Sequence, residues 1–325
     1  MARWFRCSAC LLIGGLLQGT TGLHAETWPA APVHFIVGYA PGGTSDVSAR
    51  IVGDALSQAL GQTVLVENRP GAQGGIAMDT VARAKPDGTT FLVSPAEAIY
   101  QRALDEKTGM AEVEKVLTPV TILTSQPLVV VANPKPGWKS IPDMIATAKT
   151  NPGGLSYATP AVGGTNTIVA EMIFRRAGVK VVNIPYKGGG QAVQDVLSGV
   201  VPLGVLGSAP LIPYVASRRL ILLAVTSKER DSTLPEVPAM AELGYPEIDI
   251  SQWFAVFAPV GTPPDVIARL STELNKVLAD PKTKAKLATA ALSPVGGSPA
   301  DFARRLISEG ESWLKRARDF GMDKN

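Results

Sequence analysis

The chain contains one supersecondary unit twice over, and that repeat leaves few folds open to it. The first copy begins with the apolar run Val33-His34-Phe35-Ile36-Val37, a buried-strand signal. It passes through Pro41-Gly42-Gly43-Thr44-Ser45-Asp46 into a helix whose apolar residues Val47, Ile51, Ala55 and Ala59 share one face. Gly61 stops the helix. The strand Val64-Leu65-Val66, a loop from Asn68 to Gly75, a second helix to about Ala84 and the strand Phe91-Leu92-Val93 follow, ending at Ser94-Pro95-Ala96. The second copy starts at Leu155-Ser156-Tyr157-Ala158 and runs through Gly163-Gly164-Thr165-Asn166 into a helix that Gly178 ends. The strand Val179 to Val182, the loop Pro185-Tyr186-Lys187-Gly188-Gly189-Gly190, a helix to about Leu197 and the strand Leu203 to Leu206 then reach Ser208-Ala209-Pro210.

Alternating strands and helices imply parallel sheets with right-handed crossovers, so the expected fold class is α/β with two lobes. Each copy finishes with paired apolar runs: Val120 to Leu123 before Leu128 to Val131, and Leu220 to Val225 before Trp253 to Phe257. These are expected to carry the chain between lobes near Ser125 and again between Thr226 and Gln252. The division expected is 26–125 with 229–325 as one lobe and 126–228 as the other. Beyond Pro263 three helices should start, at Pro263-Pro264, Pro281 and Pro299.

The first 25 residues stand apart. Arg3 and Arg6 precede an apolar stretch from Leu11 to Leu17, and small and polar residues lead to Ala25. That order describes a cleavable secretory signal. Cys7 and Cys10 both fall inside it, so the remaining chain has no cysteine for disulfides or thiolate metal sites. Without Arg3 and Arg6 the chain has 29 basic and 28 acidic side chains. Such a balance, with no basic block, leaves no nucleic-acid footprint.

In open parallel sheets ligands bind beyond the carboxyl ends of the strands, where loops enter helix N-termini. Each half offers a Gly-Gly-Thr loop there. Glycine admits a ligand close to the backbone, and the helix start supplies unpaired N–H donors with a partial positive charge. Thr44, Ser45, Thr165 and Asn166 add side-chain donors, and two such loops facing each other would clamp an anion without a cation. Gly43, Thr44 and Thr165 are the expected carboxylate donors. Thr44 and Thr165 could equally cap their own helices. Tyr39 could wall a ligand or belong to the core. Asp46 could cap, bind a ligand or buttress its loop. No G-x-G-x-x-G or P-loop pattern supports nucleotide binding, and no G-x-S-x-G elbow supports a hydrolase. His34, early in the first strand, lies at the end opposite the expected site. One histidine and no cysteine argue against catalytic triads and metal centres, so no cofactor is expected.

With these residues in view the chain resembles the Bug family, the periplasmic binding proteins of tripartite tricarboxylate transporters. The resemblance runs from Trp28-Pro29 to about Phe320. It rests on ordered motifs: Ile36 to Asp46, Val66-Glu67-Asn68-Arg69-Pro70-Gly71-Ala72, Ala84-Lys85-Pro86-Asp87-Gly88, Pro185-Tyr186-Lys187-Gly188, Leu223-Ala224-Val225-Thr226-Ser227, and Trp253-Phe254 with Ala258 to Pro264. It implies a type II-like Venus flytrap with two crossing segments that binds small carboxylates through backbone N–H groups and waters. Carried over, the first-lobe site is Tyr39, Gly42, Gly43, Thr44, Ser45 and Asp46 with Ser94 and Ala96 nearby. The second-lobe site is Thr159, Gly163, Gly164, Thr165 and Asn166, with Ser208 the repeat's counterpart of Ser94. Two departures stand out: Val205-Leu206-Gly207 lacks the aspartate that many members place there, and Gly164-Thr165-Asn166-Thr167 replaces a frequent Ser-Pro-Ser-His. The expected protein is a periplasmic monomer that captures an organic acid for transporter membrane subunits. A ligand-presenting adaptor for a membrane sensor kinase is the alternative.

Overall fold

In the computed structural model, which describes residues 28–107 and 110–322 together with Met1, the first apolar run becomes the centre of a sheet. The secretory-signal reading rests on residues 2–25 and lies outside the described residues. Strand β1 (Val33–Val37) pairs in parallel with β2 (Val64–Asn68) on one side and β3 (Thr90–Pro95) on the other, Phe35 opposite Val66 and Phe91. Helices cover both faces, which is why four of its five residues are buried apolar ones. Helix α1 (Thr44–Leu60) buries Ala49, Val52 and Leu56 with Phe35 in one cluster, and α2 (Gly75–Ala82) buries Ala77, Met78 and Val81 in another. Helix α3 (Ala96–Asp105) follows β3 without a break.

Strand β4 (Leu117–Ala132) is the 16-residue spine of the molecule. The two runs read as separate strands in its sequence form one, because each half finds a different antiparallel partner. After β4 come α4 (Ile141–Thr150), β5 (Ser156–Thr159), α5 (Gly164–Ala177), β6 (Val182–Pro185), α6 (Gly189–Ser198), β7 (Leu203–Gly207), α7 (Ile212–Val215), β8 (Ile221–Val225) and β9 (Ser251–Pro259). Leu117 to Pro127 of β4 pairs with β9, and Leu128 to Ala132 pairs with β7 and β8. The first lobe's sheet therefore runs β2-β1-β3-β9-β4 and the second's β4-β7-β5-β6, with β8 also on β4. Helices α8 (Pro264–Ala279), α9 (Pro281–Thr289) and α10 (Pro299–Asp319) start at the expected prolines. A short β10 (Ser293–Gly296) adds to the first lobe's side of β4.

Two segments cross side by side. Gln126 of β4 lies opposite Gln252 of β9. Thr226 ties the crossings together: its hydroxyl accepts from Leu128 N–H at 2.9 Å and donates to the Ile250 carbonyl at 2.6 Å. One boundary differs from expectation. The strand expected at Val179 to Val182 begins only at Val182, since the Val179 N–H is taken by the Phe174 carbonyl in closing α5, and Val182 is the first residue to reach Leu155.

Candidate ligand-binding site

The ends of β1, β3, β5 and β7 deliver their loops to one cavity between the lobes. It is lined by Tyr39, Gly43, Thr44 and Ser45 from the β1–α1 turn, Pro95 at the end of β3 and Glu97 just beyond it, Pro160, Ala161, Gly163, Gly164 and Asn166 around the start of α5, and Gly189 at the start of α6. Gly207, Pro210, Gln252 and Phe254 complete it, and about 50 Å³ of it can be reached by the centre of a water molecule. A single water needs roughly 10–15 Å³ by that measure, so a compact polar ligand fits.

Three helices with glycine N-caps begin at this cavity, α1, α5 and α6 behind Gly43, Gly163 and Gly188, and none has a side chain bonded to its free amides; α3 starts there too, behind Pro95. Glycine has no side chain with which to cap, so the orphan N–H groups of the first turns remain available. Neither threonine caps its helix. The Thr44 hydroxyl accepts from Gln126 Nε2 at 3.0 Å, and the Thr165 hydroxyl accepts from Trp313 Nε1 of α10 at 3.0 Å. The β1–α1 turn also touches the start of α6 directly. Ala40 N–H donates to the Lys187 carbonyl at 3.3 Å, and a Cβ added at Gly190 would sit 2.5 Å from the Pro41 carbonyl oxygen. Only glycine lets the lobes approach so closely there.

Of the residues expected at the site, Tyr39, Gly43, Thr44, Ser45, Gly163, Gly164 and Asn166 line this cavity. Ala96 and Thr165 line a wider, more polar recess of about 510 Å³ that also borders Glu97. Gly42, Asp46, Ser94, Thr159 and Ser208 line neither. Asp46 is a buttress: it accepts the Gly42 N–H at 3.0 Å and pairs with Arg50 at 2.8 Å. Burial works against its charge, but Arg50 and Gly42 together hold its carboxyl below the usual range. Thr159 donates to Ala161 and Asn183, and Asn166 Nδ2 donates to the Val205 carbonyl, each bracing the α5 turn. Tyr39 serves both readings weighed for it, packed in the first lobe's core with its hydroxyl donating to Gln73 at 3.1 Å while the ring borders the cavity.

Sequence reasoning missed a polar chain that runs through the hinge. Gln126 Oε1 accepts from Ala209 N–H and Ser208 Oγ, both at 3.1 Å. Its Nε2 donates to Thr44 Oγ1 and to Gln252 Oε1, and Gln252 Nε2 in turn donates to Glu97 Oε1. A backbone N–H can only donate, so Ala209 sets the direction of every bond in the chain. Two results follow. Thr44 accepts within the chain and keeps its own O–H for the cavity, and Glu97 accepts on Oε1, leaving Oε2 outside the chain. Burial pushes the Glu97 carboxyl up to about 7, against the opposing bonds from its own N–H and Gln252. A Cβ at Gly207 would overlap Gln126 Nε2 and lie 2.6 Å from Thr44 Oγ1, so the hinge glutamine fills the room that a side chain there would need.

The description tripartite tricarboxylate transporter family receptor belongs to the family model that matches residues 48–317. Protein BugT of Bordetella pertussis is 36% identical over 316 residues, 96% of this chain and 97% of that protein. The structure of R. palustris Rpa4515 with adipate aligns with a TM-score of 0.86 at 31% identity, covering 90% of this chain and 98% of the other. That of the periplasmic binding protein BugD aligns with a TM-score of 0.83 at 28% identity, covering 90% and 99%. Fold, site and relatives agree, and the chain belongs to the tripartite tricarboxylate transporter receptor family, as a two-lobed solute-binding protein rather than an enzyme.

Proposed function

We propose that this protein closes its two lobes on a small organic carboxylate in the periplasm and hands it to the membrane subunits of a tripartite tricarboxylate-type transporter. The observation that carries the reading is the convergence of three uncapped helix starts, from both lobes, on one cavity. Amides at Gly43, Thr44 and Ser45 take the carboxylate from one side. Gly164, Thr165 and Asn166 take it from the other, with Gly189 joining once the lobes meet. Helix-end partial charges and neutral donors can hold an anion here without a resident cation. Adipate bound to a family relative supports the ligand class. Because both lobes contact the ligand only when closed, binding shifts the population toward the closed state.

The same reading divides the chain into lobes, expected at 26–125 with 229–325 and 126–228; the partners of β4 support the change at 126, but Leu234, Val237, Met240, Tyr245, Ile248 and Ile250 pack in the second lobe's cores, which moves the return crossing to the start of β9. It makes residues 1–25 a signal removed on export and the mature protein a monomer. Ser94, Ala96, Thr159 and Ser208, like Gly42 and Asp46, shape the loops that present the donors.

Proline at Thr44 tests the clamp. Gly43 at φ −82° and ψ 171° is the extended residue that proline prefers before it, so the helix keeps its start while one amide disappears. Thr44→Val, which removes only the hydroxyl, is the control. A lost bond to a buried carboxylate is worth about 1.5–3 kcal/mol, so affinity for a ligand found by thermal-shift screening should fall roughly 10- to 150-fold further in Thr44→Pro. Equal affinity in the two variants, measured by calorimetry, contradicts the amide clamp.

A further inference from the structure

The cavity has one ionisable carboxyl, and it is placed where a second ligand group would arrive. Glu97 lies in the first turn of α3, is 9% exposed, and borders both the cavity and the adjoining recess. Its neighbours supply no compensating charge. Tyr39 faces it from the β1–α1 turn, Tyr100 from its own helix, Gln252 from β9 and Gln126, beyond it, from β4. Across the recess stand Thr165 of α5, Asp249 ahead of β9, and Arg305, Glu309 and Arg316 of α10. Arg305 is occupied, bonded to Glu309 at 2.6 Å and stacked over Trp253. Among the described residues Glu97 has no cationic partner, and its one side-chain bond comes from a neutral amide.

We infer that Glu97 is the specificity-determining acid of this site, donating its Oε2 proton to the far carboxylate of a dicarboxylate whose near carboxylate lies in the amide clamp. This rests on the ligand reading above and names the substrate class. The direction of the hinge hydrogen bonds makes Oε1 an acceptor, so the proton belongs on Oε2. An ionised Glu97 would repel an incoming anion across a cavity with little water to screen it. A neutral Glu97 instead gives a short charge-assisted O–H···O bond. Burial already pushes the carboxyl up to about 7, so that near neutral pH a large share of it carries its proton. The proton balance is simple: below that value Glu97 has its proton in the free protein, and above it one proton enters from solvent as each ligand binds.

Calorimetry with succinate, malate and adipate, in two buffers of different ionisation enthalpy at pH 6.5 and 8.5, tests this on the wild type and Glu97→Gln. Uptake should approach one proton at the higher pH, with affinity about twentyfold weaker there, as expected when only the protonated form binds. Glu97→Gln keeps a neutral donor of similar shape, so it should bind at both pH values with equal affinity and no proton uptake. Diacid binding whose affinity ignores pH overturns the inference while leaving the ligand reading intact. So does tighter capture of aspartate as pH rises, since an ionised Glu97 would then be meeting an ammonium. Failure of all three diacids at both pH values overturns the ligand reading itself. The carboxylic C=O infrared band of the free protein decides the titration separately: present at pH 6.5 and lost in Glu97→Gln if the inference holds, and contradicting it if absent.

Discussion

The two Gly-Gly-Thr turns share a motif and a cavity but are held by different means. The α1 turn places only its first glycine in left-handed backbone, Gly42 at φ 80° against Gly43 at φ −82°, and polar side chains pin it: Asp46 on the Gly42 N–H and Gln126 on the Thr44 hydroxyl. The α5 turn has both glycines in left-handed backbone, Gly163 at φ 67° and Gly164 at φ 83°, its first turn contains no acid, and its local bracing comes from Thr159 and Asn166. Its Thr165 is fastened from the other lobe, by Trp313. A motif therefore dictates where amides point without dictating what keeps them there. The first lobe's turn is braced by its own loop and the hinge, whereas the second's is completed on closure.

Glycine replacement should separate the turns most strongly. The pair Gly163→Ala and Gly164→Ala forces side chains into left-handed backbone, with Gln101 Oε1 only 3.1 Å from the new Cβ at 163. Together they should cost about 2–4 kcal/mol in urea unfolding. Gly43→Ala meets nothing nearer than 3.4 Å at ordinary φ and should cost under about 1 kcal/mol. A loss at Gly43→Ala as large as that of the Gly163 and Gly164 pair would break the contrast.

Asp46→Ala comes next and addresses the polar brace. It strands the Gly42 N–H and should cost about 1–2 kcal/mol, discounted because Arg50 is half exposed. The Asp46 carboxyl titrates below its usual range, so its contribution is fully present above about pH 4 and is lost as pH falls through the folded value. Wild type and variant should therefore converge in stability in strong acid and diverge as pH rises toward about 4, the gap staying level above it, followed by urea titration at each pH. A constant gap would show that the charge has no part in the brace.

The smallest effect is expected at Trp313→Phe, which keeps a ring and removes the donor to Thr165. The bond joins elements of different lobes, so its loss of about 1 kcal/mol should weaken ligand affinity roughly fivefold. Thermal stability of the free protein should change by less than that of the liganded form. An unchanged affinity would mean the second turn is complete before closure.

Much of this was legible in the residues. The Gly-Gly-Thr turns, the strands before them and the proline-started helices follow from periodicity and turn chemistry, which act over a few neighbours. What was not legible depends on register. Gln126 and Gln252 are 126 positions apart and meet only because β4 and β9 pair antiparallel with those residues opposite. Glu97 sits in a helix that Ser94-Pro95-Ala96 concealed as a strand end, although Pro95 followed by an acid in the first turn is a helix-start signal. The start of α4 was also readable, since Ser140 accepts from the Asp143 N–H three residues on. Thr165 illustrates the opposite limit: its motif marks the turn, but the partner of its hydroxyl comes from a helix nearly 150 residues away.

The most direct test of the clamp is a crystal structure of the mature protein grown with adipate or malate. The account predicts one ligand carboxylate within about 2.7–3.1 Å of main-chain N–H groups at both helix starts, 43–45 and 164–166. A carboxylate held instead by lysine or arginine side chains, or touching only one lobe, would contradict it.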